Sequence, residues 1–210
     1  MNINFNPILG NYIDGLLTED HMIAEERKAL LAKLAAFIQQ KRTSKEPIAL
    51  TFICTHNSRR SHISQIWAAA AAAYYGLETI TTFSGGTEAT AFNPRAVAAM
   101  ERAGFSIENP GGNNPHYLVS FVDNKPPVEC FSKVFDDPFN PKGDFAAIMT
   151  CSHADENCPF IPGVALRLPL TYEDPKEADD TAEETARYDE RVRQIGREIF
   201  YAMNLVTQSK

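Results

Sequence analysis

The sequence predicts an α/β fold in three layers, a four-stranded parallel sheet flanked by helices. Three observations predict it. Four short apolar runs, 48–53, 79–84, 144–150 and 164–168, read as buried strands. Helical patterns alternate with them, at 61–75, 94–103 and 181–203. That alternation implies right-handed crossovers and hence parallel pairing. Third, the chemistry falls at one end. In such a sheet ligands bind beyond the C-terminal strand ends, and Cys54, Ser84 and Cys151 all lie there.

Taken in order, residues 1–17 are Asn-rich with one proline and read as an extended arm. Thr18 caps a helix reaching about Arg42, with Ile23, Leu30, Leu31, Leu34, Phe37 and Ile38 as its apolar stripe. Residues 43–47 link it to the first strand. That strand stops at Cys54, a short polar loop follows, and a helix opens at about Ser61. Its six alanines, 68–73, suit close packing against a sheet and read as structural. Gly76 ends this helix, and Gly85-Gly86 break the second strand. Asn93-Pro94 opens the next helix, with proline at its first position and Gly104 past its end. Residues 117–122 and 128–135, joined by Asp-Asn-Lys-Pro-Pro, read as an inserted hairpin. The final helix turns Tyr188, Val192, Ile195, Ile199 and Phe200 to one side.

The chain of 210 residues is long enough for one domain with a substantial core. Its net charge of −7 argues against nucleic acid or an anionic membrane as the main partner, so an anionic substrate needs a local positive pocket. No apolar run reaches transmembrane length, and the N-terminus does not read as a signal peptide. The four cysteines, Cys54, Cys130, Cys151 and Cys158, are too few for a disulfide scaffold. They suit a reducing cytoplasm and a chemical use.

The stretch from Ile48 to Ser61 carries that chemistry. A strand turning into a helix N-terminus leaves backbone N–H groups pointing into one space, which suits a tetrahedral oxyanion. Cys54 and Arg60 stand five residues apart, a C-x5-R-S pattern with Ser61. The loop curls so that the thiol sits at its base and the Arg60 guanidinium closes its rim, gripping two anionic oxygens. Both the helix end and Arg60 favour the thiolate. Ser61 is placed to donate to the sulfur, and Asn57 tolerates a left-handed backbone. Thr55, His56, Asn57, Ser58, Arg59 and Arg60 are the candidate oxyanion-binding residues.

Cys54, Asn57, Arg60 and Ser61 resemble the oxyanion loop of the low-molecular-weight protein tyrosine phosphatase family, which includes the thioredoxin-coupled arsenate reductases. The resemblance covers about residues 47–206. It sets residues 1–46 apart as an extra N-terminal arm and helix and is interrupted by an insertion at about 113–143. His56 departs from it, standing where the family usually has glycine; His is among the residues that reach positive φ. Arg59 replaces a residue that is often Cys in the reductases and adds positive charge at the mouth.

The segment Cys151-Ser-His-Ala-Asp-Glu-Asn-Cys158-Pro is similar to the redox segment of the reductases. The resemblance implies that Cys54 attacks arsenate, Cys151 attacks Cys54, and Cys158 attacks Cys151. The resulting Cys151–Cys158 disulfide then passes to thioredoxin. Two other readings of the pair stand beside this one. The cysteines are inert in a plain tyrosine phosphatase, or Cys130, Cys151, His153 and Cys158 bind structural zinc in a non-catalytic protein. Asp174, held extended by Pro175, matches the family's general acid. Lys176 follows that proline where the phosphatases often carry Tyr, which favours a small inorganic oxyanion. No tightly bound cofactor is expected. The reductases use potassium near the loop, and Asn57 and Ser84 match positions in that site. Gln65 replaces a usual Glu, which argues against bound potassium.

Overall fold

The computed structural model describes residues 5–123, 125–157 and 160–208. In chain order its elements are α1 (Pro7–Leu16), α2 (Glu25–Thr43), β1 (Ile48–Cys54), α3 (Arg60–Tyr74), β2 (Ile80–Gly86) and α4 (Pro94–Arg102). The strands β3 (Ser106–Glu108), β4 (Tyr117–Ser120), β5 (Val128–Cys130) and β6 (Phe145–Met149) follow. The chain closes with α5 (Ser152–Asn157), β7 (Val164–Pro169) and α6 (Glu184–Gln208).

The four expected strands form one parallel sheet in the order β2-β1-β6-β7. Strands β1 and β6 are the inner pair and are covered on both faces, which is why their sequences run apolar without alternation. Ile48, Leu50 and Phe52 bury into the main core with Trp67 and Phe200. Ile53, Ala147, Met149 and Cys151 form a second cluster with Ala154. Helix α3 packs on β1, β2 and α6, while α5 packs on β1 and β6. Ala68, Ala70 and Ala71 are fully buried in α3, so the alanine run does set a close approach.

Four local expectations change. Residues 7–16 are helical rather than an extended arm. Asn6 accepts from Leu9 N at 2.9 Å, Pro7 fills the first turn, and Leu9, Ile13 and Leu16 are buried. Thr18 does not cap α2; its hydroxyl donates to Gly15 O at the end of α1, and α2 begins only at Glu25. The second strand is not broken by Gly85-Gly86 but runs through them to Gly86. The hairpin of β4 and β5 is present, but β3 joins it to make a separate three-stranded antiparallel sheet.

Candidate oxyanion-binding active site

The loop after β1 is held by its carbonyls. Cys54 O accepts from Thr87 N at 3.2 Å and Thr55 O from Glu88 N at 2.8 Å. His56 O accepts from the hydroxyls of Thr90 and Ser132, both at 3.1 Å, and Ser58 O from Asn93 N at 2.8 Å. Carbonyls tied outward in this way are what an anion cradle of inward-facing amides requires. Gly86 is the floor of this loop. A Cβ there would sit 2.6 Å from Thr55 O and 2.7 Å from Asn57 N, so no side chain fits.

A chain of directed hydrogen bonds reaches the sulfur. The backbone N–H of Lys133 donates to Asn57 Oδ1 at 2.9 Å, which fixes which way that amide faces. Asn57 Nδ2 then donates to Ser61 Oγ at 2.8 Å. Ser61 Oγ lies 3.1 Å from Cys54 Sγ, and having accepted from Asn57 it has its own proton to give to the sulfur. Asn57 takes the left-handed backbone, φ 44°, as expected. His56 is not among the residues with positive φ, so the missing family glycine is not needed for conformational freedom. Its half-exposed ring instead points toward Glu88, 3.6 Å away.

The two arginines meet the acid. Arg60 donates from Nη2 to Asp174 Oδ2 at 2.6 Å and from Nη1 to Tyr172 O at 2.9 Å. The guanidinium expected to grip the anion is therefore shared between the candidate acid and the Tyr172 carbonyl. That pair would have to open before the Asp174 carboxyl could hand a proton to a ligand in the loop. Asp174 has the extended backbone that Pro175 imposes, φ −78° and ψ 121°, and also accepts from Lys176 N. Arg59 sits 4.0 Å from Asp174 Oδ1, donates to Tyr188 Oη at 2.8 Å and reaches Asp179 at 3.4 Å. Tyr188 in turn donates to Asp179 at 2.8 Å, and burial pushes its phenol up to about 12. The sequence reading missed Asp179 and Tyr188, placing Tyr188 only on the apolar side of the final helix. A brace from the N-terminal region was missed too. Arg27 of α2 donates to Thr171 O at 2.9 Å, pairs with Glu198 and stacks 4.9 Å above the Tyr172 ring.

Cys151 lies beyond the end of β6, next to β1, and is 1% exposed. Its Sγ is 3.4 Å from Thr55 Oγ1 inside the loop, and Cys54 and Cys151 share one buried cluster. Cys158, the third candidate sulfur, lies outside the described residues. Cys130 is buried in the main core, its thiol pushed up to about 12 by burial, whereas Cys151 belongs to the second cluster. Among the described residues no group of three His, Cys, Asp or Glu side chains is placed to hold a metal. Cys130, Cys151 and His153 are therefore not assembled as zinc ligands.

Potassium does not fit the residues where the resemblance puts it. Asn57 Oδ1 already accepts from Lys133, and Ser84 Oγ is bonded to the His62 ring at 3.2 Å. Gln65 is neutral, and its Nε2 donates to Thr82 O. Lys133 is only 2% exposed, its Nζ donating to Phe131 O and lying 4.2 Å and 5.0 Å over the rings of Phe131 and Phe139. Burial holds this amine down to about 8. Burial, with the Lys133 charge, pushes His62 down to about 3, so its imidazole is neutral. A further cation here would be repelled by Lys133.

Comparison with known proteins places this geometry. The model of the low molecular weight phosphotyrosine protein phosphatase family matches residues 49–113. The arsenate reductase of Halalkalibacterium halodurans is 32% identical over 149 residues, 70% of this chain and 89% of the relative. That of Bacillus subtilis is 30% identical over the same coverage. Among solved structures, the low molecular weight protein tyrosine phosphatase from T. tengcongensis aligns with a TM-score of 0.51 at 15% identity, over 75% of this chain and 98% of its own. The Bacillus subtilis YwlE mutant aligns with 0.51 at 13%, over 75% and 97%. These two speak for the fold alone. No helix among the described residues is long and apolar enough to cross a membrane. With sequence relatives matched over most of their length, the chain belongs to the low-molecular-weight phosphotyrosine protein phosphatase family, in the company of its arsenate reductases.

Proposed function

We propose that the protein reduces arsenate with a thioredoxin-type dithiol as the electron source, in the cytoplasm. Cys54 Sγ attacks arsenic within the loop, one As–O bond breaks, and that arsenate oxygen leaves as water once protonated, giving a thiol–arsenate adduct. Arg60 and the loop amides of Thr55, His56, Asn57, Ser58 and Arg59 hold the oxyanion, with Asp174 as proton donor to the departing oxygen. The Cys151 thiolate then attacks Cys54 Sγ. A disulfide forms, the S–As bond breaks with its electron pair staying on arsenic, and arsenite departs. Cys158 attacks Cys151, freeing Cys54, and thioredoxin reduces the Cys151–Cys158 disulfide.

One observation carries this reading: a second buried thiol, Cys151, stands at the end of the strand beside Cys54 and is hydrogen-bonded to Thr55 of the loop. A phosphatase has no use for it. Coupled NADPH oxidation with arsenate, thioredoxin and thioredoxin reductase tests it. Wild type turns over and Cys151→Ser does not; equal rates in the two proteins defeat the reading. The second reading, a phosphatase, rests on the pairing of Arg60, at the end of the loop, with Asp174, an arrangement that serves phosphoryl transfer equally. Rapid aryl-phosphate hydrolysis that ignores Cys151→Ser and Cys158→Ser would favour it.

A further inference from the structure

Cys151 is enclosed, and a thiol that must become a thiolate needs somewhere to send its proton. At 1% exposure its sulfur has no direct path to water. Among the described residues, two polar groups lie within hydrogen-bond distance of it. Ala154 N donates to it at 3.3 Å and cannot take a proton. Thr55 Oγ1, 3.4 Å away, is a hydroxyl that can accept one and pass one on. On its other side Thr55 Oγ1 lies 3.2 Å from Nδ1 of His153. Thr55 is itself buried, while His153 is exposed. The three groups therefore run from an enclosed sulfur, through an enclosed hydroxyl, to an imidazole in contact with solvent.

We propose that His153 is the proton acceptor for Cys151, acting through Thr55. This rests on the reductase reading. The Cys151 proton passes to Thr55 Oγ, the Thr55 proton passes to His153 Nδ1, and the imidazolium releases its Nε2 proton to water. The electron pair left on Cys151 Sγ forms the bond to Cys54 Sγ as arsenite leaves. Imidazole suits the task because it exchanges protons near neutral pH. The benefit has a ceiling. An ordinary thiol is about 3% thiolate at pH 7, so complete deprotonation gains at most about 30-fold. Among the described residues, the charged and titratable groups around this corner are Cys54 from β1, Asp155 and Glu156 on α5, and Arg167 of β7, whose guanidinium binds Asp155. Asp155 is thus engaged away from the relay.

The test is a single turnover of full-length protein with stoichiometric arsenate and no thioredoxin, reading arsenite release from pH 6 to pH 9. His153→Gln should lower the rate about tenfold at pH 7, and the deficit should close toward about pH 9, where a free thiol ionises unaided. Added imidazole should restore part of the rate to His153→Ala. A melting curve checks that the exposed substitutions leave the fold intact. If Cys151→Ser is inactive while His153→Gln and His153→Ala keep the wild-type rate and pH profile, the relay is wrong and the reductase reading stands. A deficit that is the same at every pH and is not rescued by imidazole also overturns the relay, since it marks a structural role. Arsenite release by Cys151→Ser at the wild-type rate removes the reductase reading itself.

Discussion

The loop holding Cys54 and the segment carrying Cys151 sit on neighbouring strands, yet they are built in opposite ways. Four carbonyls of the loop are tied to segments 87–93 and 132, its floor is a glycine that admits no Cβ, and its sulfur is approached through buried hydrogen bonds. Beyond Cys151 comes the six-residue α5, with Ala154 as its buried side chain and an exposed His153. Under the proposed reductase reading, the first region keeps its shape while charge develops on a ligand and the second opens locally. The proposed relay of oxidation would need both, because Cys151, once it had attacked Cys54, would have to be reached from outside.

Substitutions can break that contrast. The largest effect should come from Cys54→Ser. Arsenate turnover and any aryl-phosphate hydrolysis should both fall by at least about 10³-fold, since the nucleophile serves either chemistry. Parallel assays check this, and survival of either activity places its nucleophile elsewhere. Next, Gly86→Ala should destabilise the protein by more than about 3 kcal/mol in urea unfolding, because its Cβ would lie within van der Waals distance of Glu88 O and two loop atoms. A change under about 1 kcal/mol would show that the loop yields, erasing the contrast.

Hydrogen exchange sharpens the comparison directly. Amides of α5 should exchange at least about 100-fold faster than those of α3, whose inner turns are buried. Equal protection would deny that the redox corner opens locally.

Lys133 gives a pH-dependent test. Its amine is held down to about 8 by burial, below the usual lysine value. Below that pH the folded protein carries a buried ammonium. As pH rises from about 8 toward 10 the folded form loses its proton first, so this penalty is relieved and stability rises. Lys133→Met should therefore be more stable than wild type at pH 7, by about 1–3 kcal/mol. Urea melts should show the gap narrowing by about pH 9.5, and a gap that widens with pH would reverse the sign. The smallest effect is expected of His56→Gly, within about 1 kcal/mol, because position 56 does not need positive φ.

What was legible in the chain was local. Strand, Cys54, loop and helix are contiguous, so hydrophobic pattern and spacing sufficed. The parallel sheet followed from alternation, but the strand order that makes β1 and β6 neighbours, and so puts Cys54 and Cys151 in one buried cluster, did not. Less was legible where partners lie far apart. Nothing near Asn57 signals that its carbonyl oxygen is held by Lys133, 76 positions on. Tyr188 keeps helical spacing with the core residues around it, which conceals that its hydroxyl serves Arg59. Three residues, as in β3, are too few to show a period. The helix α1 was readable: Asn6-Pro7 repeats the Asn93-Pro94 signal of α4, but the surrounding asparagines masked it.

The bond from Lys133 to Asn57 has a consequence for how this chain can change over time. Lys133, which orients Asn57, lies in the stretch between β5 and β6, 76 positions along the chain from it. A deletion or register slip in that stretch would free Asn57 and, through Ser61, loosen the surroundings of the Cys54 sulfur without altering a residue beside it. Moving the loop alone into another scaffold should therefore carry over the motif without the bond that orients Asn57.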